Sequence, residues 1–358
     1  MTNLEKSMKT FEEYLQNDSV NIFQVYKKGE KSHPYGFTYS YEKKGFKILV
    51  DLYGDEITQH IILDAHAAIE EIIKRTNSYC QMLCEYCQKH SPVDEPGFLY
   101  YSDQHGYVQY HITTPFIDRP VSGGTFVWMN NCAWKKLREH IENLRPQASK
   151  HFAGTYSQEK TEQLAEIKQA SKEGSKATHN SFPDKYYDIQ FCKNDRKMQN
   201  TADNLYMKQI VTTNMTLHRE LRINNTGCII IAVRTEVIMP EPYNRGMMTA
   251  YVNRINASRK ITGIHALTKD GYLWISASIS LWDGPVSGKT IEHVSSILFA
   301  EMSKHQDIII KCTYGAITEG NNTDSSNHLL TIKKPFSLFD DNEENERKNT
   351  TFEDLFGR

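Results

Sequence analysis

His105-Gly106-Tyr107 followed by Pro120-Val121-Ser122-Gly123 aligns, without a gap, with Asp270-Gly271-Tyr272 followed by Pro285-Val286-Ser287-Gly288, each residue 165 positions on. Two anchors in one register mark an internal repeat, and a repeat decides how the rest of the chain is read. The same register sets Asp118 against Asp283, Thr125 against Thr290, Met82 against Met247 and Tyr86 against Tyr251. After Lys269-Asp270-Gly271, the residues Tyr272, Trp274, Ser276, Ser278 and Ser280 alternate with Leu273, Ile275, Ala277 and Ile279, the period of a strand leaving a hairpin turn. Tyr107 to Thr114 carries the aromatic and β-branched residues of the matching strand. Pro-Val-Ser-Gly then ends each strand, because proline has no N–H for the ladder, and a helix follows in each copy, over Trp128 to Asn143 and Ile291 to His305.

Working outward, helices are expected upstream of the hairpins, Asp64 to about His90 with Asp64 as N-cap, and Pro242 to Ala257. Strand-rich stretches precede them, Phe37 to Leu63 with a Lys43-Lys44-Gly45 turn and Thr216 to Met239 with an Asn224-Asn225-Thr226-Gly227 turn. Short amphipathic helices near Thr10 to Leu15 and Asn204 to Val211 open the two copies. Runs of antiparallel strands with helices against one face define an α+β fold and not a doubly wound parallel sheet. The expected organisation is a first unit over 1–147, a linker over 148–184 with a solvated helical spacer from Gln158 to Lys172, a second unit over 185–320, and an acidic tail over 321–358.

Composition narrows the function. The 358 residues suit about two domains, and 42 Lys plus Arg against 44 Asp plus Glu gives no general affinity for nucleic acid. The longest apolar runs, Cys228 to Val233 and Ile308 to Ile310, fall far short of the roughly 20 residues that span a bilayer. The charged start, Met1 to Phe11, lacks the pattern of a secretory signal, so a cytoplasmic protein with its 7 cysteines reduced is expected.

The second copy resembles the YbjN-like family, whose fold is that of the type III secretion chaperones. The residues that carry the resemblance are the strand ending in Val233-Arg234-Thr235-Glu236-Val237, the helix with Tyr251-Val252-Asn253-Arg254-Ile255-Asn256, the Asp270-Gly271 hairpin and the closing helix, over about Leu217 to Tyr314. The first copy is similar as a diverged version, through the repeat. The resemblance implies two tandem YbjN-like units acting as a non-enzymatic, chaperone-like or regulatory protein that binds another protein, with no cofactor. The related chaperones pair as dimers, which implies an intramolecular pseudo-dimer or a homodimer.

Cys80, Cys84 and Cys87 have the Cys-x3-Cys-x2-Cys spacing and resemble the iron–sulfur motif of radical S-adenosylmethionine enzymes, with a zinc site completed by His90 as the weaker variant. The three also share one face of a helix, and the repeat sets Cys84 and Cys87 against Thr249 and Val252, so core packing is the favoured reading. Gly284 to Thr290 has only three residues between its glycines where a phosphate-binding loop has four, and reads as a strand-to-helix turn with Ser287 or Thr290 at the helix start. None of the 14 histidines, His60, His66, His105 and His111 included, has a spacing that demands chemistry. In the tail, Phe336, Leu338 and Phe339, and again Phe352, Leu355 and Phe356, are expected anchors for a groove on a partner or on the protein itself. Pro335 to Phe339 partly resembles the bacterial sliding-clamp peptide, with proline in place of its glutamine.

Overall fold

The computed structural model describes residues 1–17, 22–26, 35–67, 77–102, 106–151, 196–197, 205–211, 216–224, 227–238, 245–258 and 261–313. The protein is α+β, with two antiparallel sheets and five helices among these residues. The first sheet contains β1 (Ile22–Tyr26), β2 (Gly36–Lys43), β3 (Phe46–Asp55), β4 (His60–Ala67), β5 (Phe98–Ser102) and β6 (Tyr107–Pro115), in the order β1-β2-β3-β4-β6-β5. Its helices are α1 (Asn3–Asn17), α2 (Asn77–Lys89) and α3 (Gly123–His151). The second sheet contains β7 (Arg196–Lys197), β8 (Leu205–Val211), β9 (Thr216–Asn224), β10 (Cys228–Ile238), β11 (Gly263–His265) and β12 (Tyr272–Ser280), in the order β7-β8-β9-β10-β12-β11. Its helices are α4 (Arg245–Asn256) and α5 (Gly288–Thr313). Strand for strand, the two orders are the same.

Local chemistry explains the elements. Thr2 and Glu5 form a capping box that starts α1: the Glu5 N–H donates to the Thr2 hydroxyl (3.2 Å) and the Thr2 N–H to the Glu5 carboxylate (2.7 Å). Leu4, Met8, Phe11 and Leu15 then fall on one face and are buried. Lys44 and Gly45 both have positive φ, 51° and 72°, the conformation a tight β2–β3 hairpin needs. Gly106 and Gly271, at φ of 80° and 74°, do the same work before β6 and β12, as the repeat predicts. Along β3, Phe46, Ile48, Val50 and Leu52 are buried while Lys47, Leu49, Asp51 and Tyr53 are half-buried, so one face meets helices.

Three expectations are corrected. Asp64 is not a helix N-cap: it lies within β4, where Ile61, Leu63, Ala65 and Ala67 alternate with His60, Ile62, Asp64 and His66, and the helix upstream of the first hairpin is Asn77–Lys89. Leu205–Val211 is a strand paired with β9 and not a helix, since its apolar residues fit a pleat as well as a turn. The opening helix is Asn3–Asn17, longer than the Thr10 to Leu15 expected. α3 runs to His151, past residue 147, and the Gln158 to Lys172 spacer lies outside the described residues.

Two buried clusters hold the fold. One fills the second half between β9, β10, β12 and the helices α4 and α5, with Leu221, Ile231, Val252, Ile275, Val294 and Leu298 at its centre. The other fills the first half, and it also contains Cys228, Ile230, Ala232 and Trp274 from the far face of the second sheet. Each sheet therefore has one face on its own helices, and part of its other face is spent on the opposite half. α2 packs on α4, and β6 on β12.

Candidate functional site

The seam between the halves is where polar side chains converge. On α2, the Gln88 side chain donates to the Ile264 carbonyl (3.2 Å) and accepts from the Ala266 N–H (2.9 Å), closing the free edge of β11. On α4, the Asn253 side chain accepts from the Tyr101 N–H (2.7 Å) and donates to the Tyr101 carbonyl (2.8 Å), closing the edge of β5. Residues 88 and 253 are counterparts in the repeat register, and so are 101 and 266. Close behind, the Leu99 N–H donates to the Ser91 hydroxyl and the Ile264 N–H to the Asn256 carbonyl oxygen, again counterparts.

The Pro-Val-Ser-Gly motifs meet in the same way. Ser122 and Ser287 are N-caps, accepting from the N–H of Thr125 (3.3 Å) and Thr290 (3.2 Å), which bears out the strand-to-helix reading of that turn. The Ser122 N–H in turn donates to Asp283 of the other half (2.9 Å). Reciprocally, Asp118 accepts from the Thr290 hydroxyl (2.5 Å) and from the backbone and side chain of Ser287. Burial pushes the Asp118 carboxyl up, but those hydrogen bonds and the Arg119 charge outweigh it and hold the group below its ordinary value. Each helix start is thus met by an aspartate from the opposite half, where the helix dipole favours negative charge.

Next to the seam, on the face of the first sheet turned away from its helices, Thr38, Asp51, Asp64, His111 and Phe98 lie in one cross-strand row. Asp64 and His111 are buried, and His111 Nδ1 lies 2.8 Å from the Asp64 carboxylate. The Tyr100 hydroxyl bridges Asp64 (3.1 Å) and the side-chain amide of Gln109, and the Tyr53 hydroxyl donates to the other Asp64 oxygen at 3.4 Å. His111 Nδ1 faces the carboxylate, and Nε2 is buried with no hydrogen-bond partner among the described residues. Phe98 lies against the ring, centroid to centroid 4.8 Å. An Asp–His pair can orient a base, but this imidazole is fully enclosed, so as it stands the cluster is a polar knot beneath the seam. Its counterparts in the second half are Ala232, Ser276, His265 and Trp274, by strand pairing and register, and the chemistry is not repeated.

Cys80, Cys84 and Cys87 sit on α2 in the first core, at most 2 % exposed. The Cys80 thiol points at the Tyr101 hydroxyl (3.6 Å), and His90 stacks on Tyr86 (4.1 Å). Over seven residues the helix rises about 10 Å, so the first and last thiols do not converge on one ion. Among the described residues no group of three or more His, Cys, Asp or Glu is placed to hold a metal. Replacing all three by alanine is expected to lower stability by about 1 kcal/mol or more per thiol while the iron content and visible spectrum of anaerobically purified protein stay unchanged; coloured, iron-loaded wild-type protein would contradict this. The tail anchors Phe336, Leu338, Phe339, Phe352, Leu355 and Phe356 lie outside the described residues. No helix among the described residues is long and apolar enough to cross a membrane.

The outside of the molecule carries a few large apolar side chains, among them Tyr14 (39 % exposed) and Trp282 (48 %). They flank the first turn of α3. A β-carbon at Gly123 would lie 1.9 Å from the edge of the Tyr14 ring, a clash, and one at Gly124 would touch Trp282 at 3.8 Å. Comparison with protein-family models, with curated proteins and with solved structures finds no match to this chain.

Proposed function

We propose that the chain is a tandem of two YbjN-like units closed on each other as an intramolecular pseudo-dimer, and that it acts as a non-enzymatic, chaperone-like or regulatory protein that binds another protein. The supporting observation is the exposed pair Tyr14 and Trp282 on a glycine floor at the start of α3. Exposed aromatics around small residues are a common anchor for partners. The sheet faces nearest the seam are spent within the chain, so a partner meets this shelf or the outer strands. The aromatic tail segments supply a second, separable docking element.

Two measurements check this reading. Capture of partners with the full chain is expected to yield a discrete protein that Tyr14→Ala/Trp282→Ala loses while keeping its melting temperature. A reproducible small-molecule turnover that a single polar substitution abolishes in folded protein contradicts it. Deletion after Ile332 is expected to leave the melting temperature nearly unchanged, and a large fall would mean that the tail belongs to the core.

A further inference from the structure

Four residues of the first half touch their own counterparts, 165 positions on, in the second: Gln81 meets Gly246, Phe98 meets Gly263, Thr113 meets Ser278 and Arg119 meets Gly284. Bodies related by a two-fold axis touch through identical positions only beside that axis, so these residues trace it. In three of the four contacts the first half supplies a large side chain and the second a glycine. A β-carbon at 246 would lie 2.6 Å from the Gln81 amide nitrogen, one at 284 would lie 2.8 Å from the Arg119 guanidinium, and one at 263 would lie 2.3 Å from the Phe98 ring, closer than any packed carbon. Neither the glycine at 263 nor that at 246, in the first turn of its helix, is needed for a positive φ. Room for the opposing side chain accounts for both. Gly284 also has φ +101°, and beside it Arg119 donates to the carbonyls of Asp283 (2.6 Å) and Pro285.

The polarity is uniform, and it has a consequence for pairing. Two first halves brought together about this axis would set Phe98 on Phe98 and Arg119 on Arg119, overlapping rings and juxtaposing like charges. Two second halves would face glycine to glycine and forfeit the Arg119 hydrogen bonds. We propose that Gln81, Phe98 and Arg119 on one side, and Gly246, Gly263 and Gly284 on the other, are specificity determinants that make each half fit only the other. The seam accepts a first half with a second half and rejects a second copy of either. This rests on the tandem reading of the halves and is independent of the partner-binding reading. Phe98 and Gly263 carry most of the discrimination, because a ring packed between strands cannot swing aside as the ends of Gln81 and Arg119 can.

The test uses the full chain, folded and purified, with a protease site in the stretch 158–172 that is cut afterwards. Native mass spectrometry is expected to show the two fragments together at the mass of the intact chain, in at least about tenfold excess over either fragment paired with itself. Fragments that separate, or self-pairs in comparable amounts, overturn the proposal. In the uncut chain, Gly263→Phe is expected to lower the melting temperature sharply or prevent folding. Phe98→Gly/Gly263→Phe moves the ring to the other side and should recover most of the loss, a coupling that independent sites would not show. A double variant no better than Gly263→Phe alone would sink the idea. Partner capture that fails while mixed pairing persists counts only against the proposed function.

Discussion

Asn253→Ala is expected to lower the unfolding free energy by about 3 kcal/mol, with a lower urea midpoint and little change in denaturant sensitivity. The magnitude follows from what the alanine leaves behind. Tyr101 is 1 % exposed, and its N–H and carbonyl face the Asn253 amide at 2.7 and 2.8 Å. Without that amide a buried edge of β5 loses one acceptor and one donor, and desolvated groups left without partners cost about 1–3 kcal/mol each. Gln88→Ala orphans only the Ala266 N–H, because the Ile264 carbonyl keeps the Asn256 amide as a donor (3.0 Å), so a smaller loss of about 1–2 kcal/mol is expected. A loss below about 0.5 kcal/mol in either variant would mean that water replaces the amide and that the seam is open to solvent.

Mild acid is expected to destabilise the protein through two buried histidines. His60 and His265 are 0 % and 1 % exposed. His60 Nδ1 donates to the Thr58 carbonyl (2.6 Å), and His265 Nδ1 donates to the Ser91 carbonyl (2.8 Å) of the opposite half. Burial pushes both imidazoles down to about 4, against the raising effect of those backbone acceptors; nearby His293 lowers His60 further, while Asp55 and Asp94 pull upward. The native state therefore binds fewer protons than the unfolded chain once the pH falls below about 6.5. The contribution is full above that value and is lost as pH falls towards 4, the loss amounting to about 2 kcal/mol per histidine at pH 5. Urea midpoints measured from pH 7.5 to 4.5 should fall along this curve, and His60→Gln should flatten it by about half. A midpoint flat down to pH 5 would show that neither ring is held neutral.

Much of the fold could be read from the chain. The register at 165 placed Gly106 and Gly271 in equivalent hairpin turns and a strand-breaking Pro-Val-Ser-Gly ahead of each closing helix, because glycine and proline act locally and their reasons are visible in sequence; that the first helix starts at Gly123 and not at Trp128, with Ser122 as its cap, was not. Asp64 was misassigned because an acidic residue ahead of an apolar stretch looks like a cap, while the alternation that makes it a strand residue begins several positions earlier, at His60. Leu205–Val211 misled for a related reason: seven residues are too few to separate a period of 2 from one of 3.6. The candidate site was less legible. Asp64 and His111 are 47 residues apart and become neighbours only through strand pairing, and Gln88 and Asn253 look like ordinary polar helix residues until each faces the other half's edge. The aspartates at 118 and 283 were visible as a repeated pair, but that each serves the opposite helix is a property of the packing.

The first core is completed by Cys228, Ile230, Ala232 and Trp274, which leave the ribosome long after the residues they cover. With synthesis at about 5–20 residues per second, the 165 residues separating Gln88 from Asn253 correspond to a wait of roughly 10–30 s. During that interval the nascent first half holds β5 and the far face of its sheet without their cover, in a crowded cell where other unfinished chains carry the same open edge. On the proposed seam, the ring of Phe98 and the charge of Arg119 stand where two such halves would collide, and would keep a waiting nascent chain from pairing with its neighbour on the same messenger.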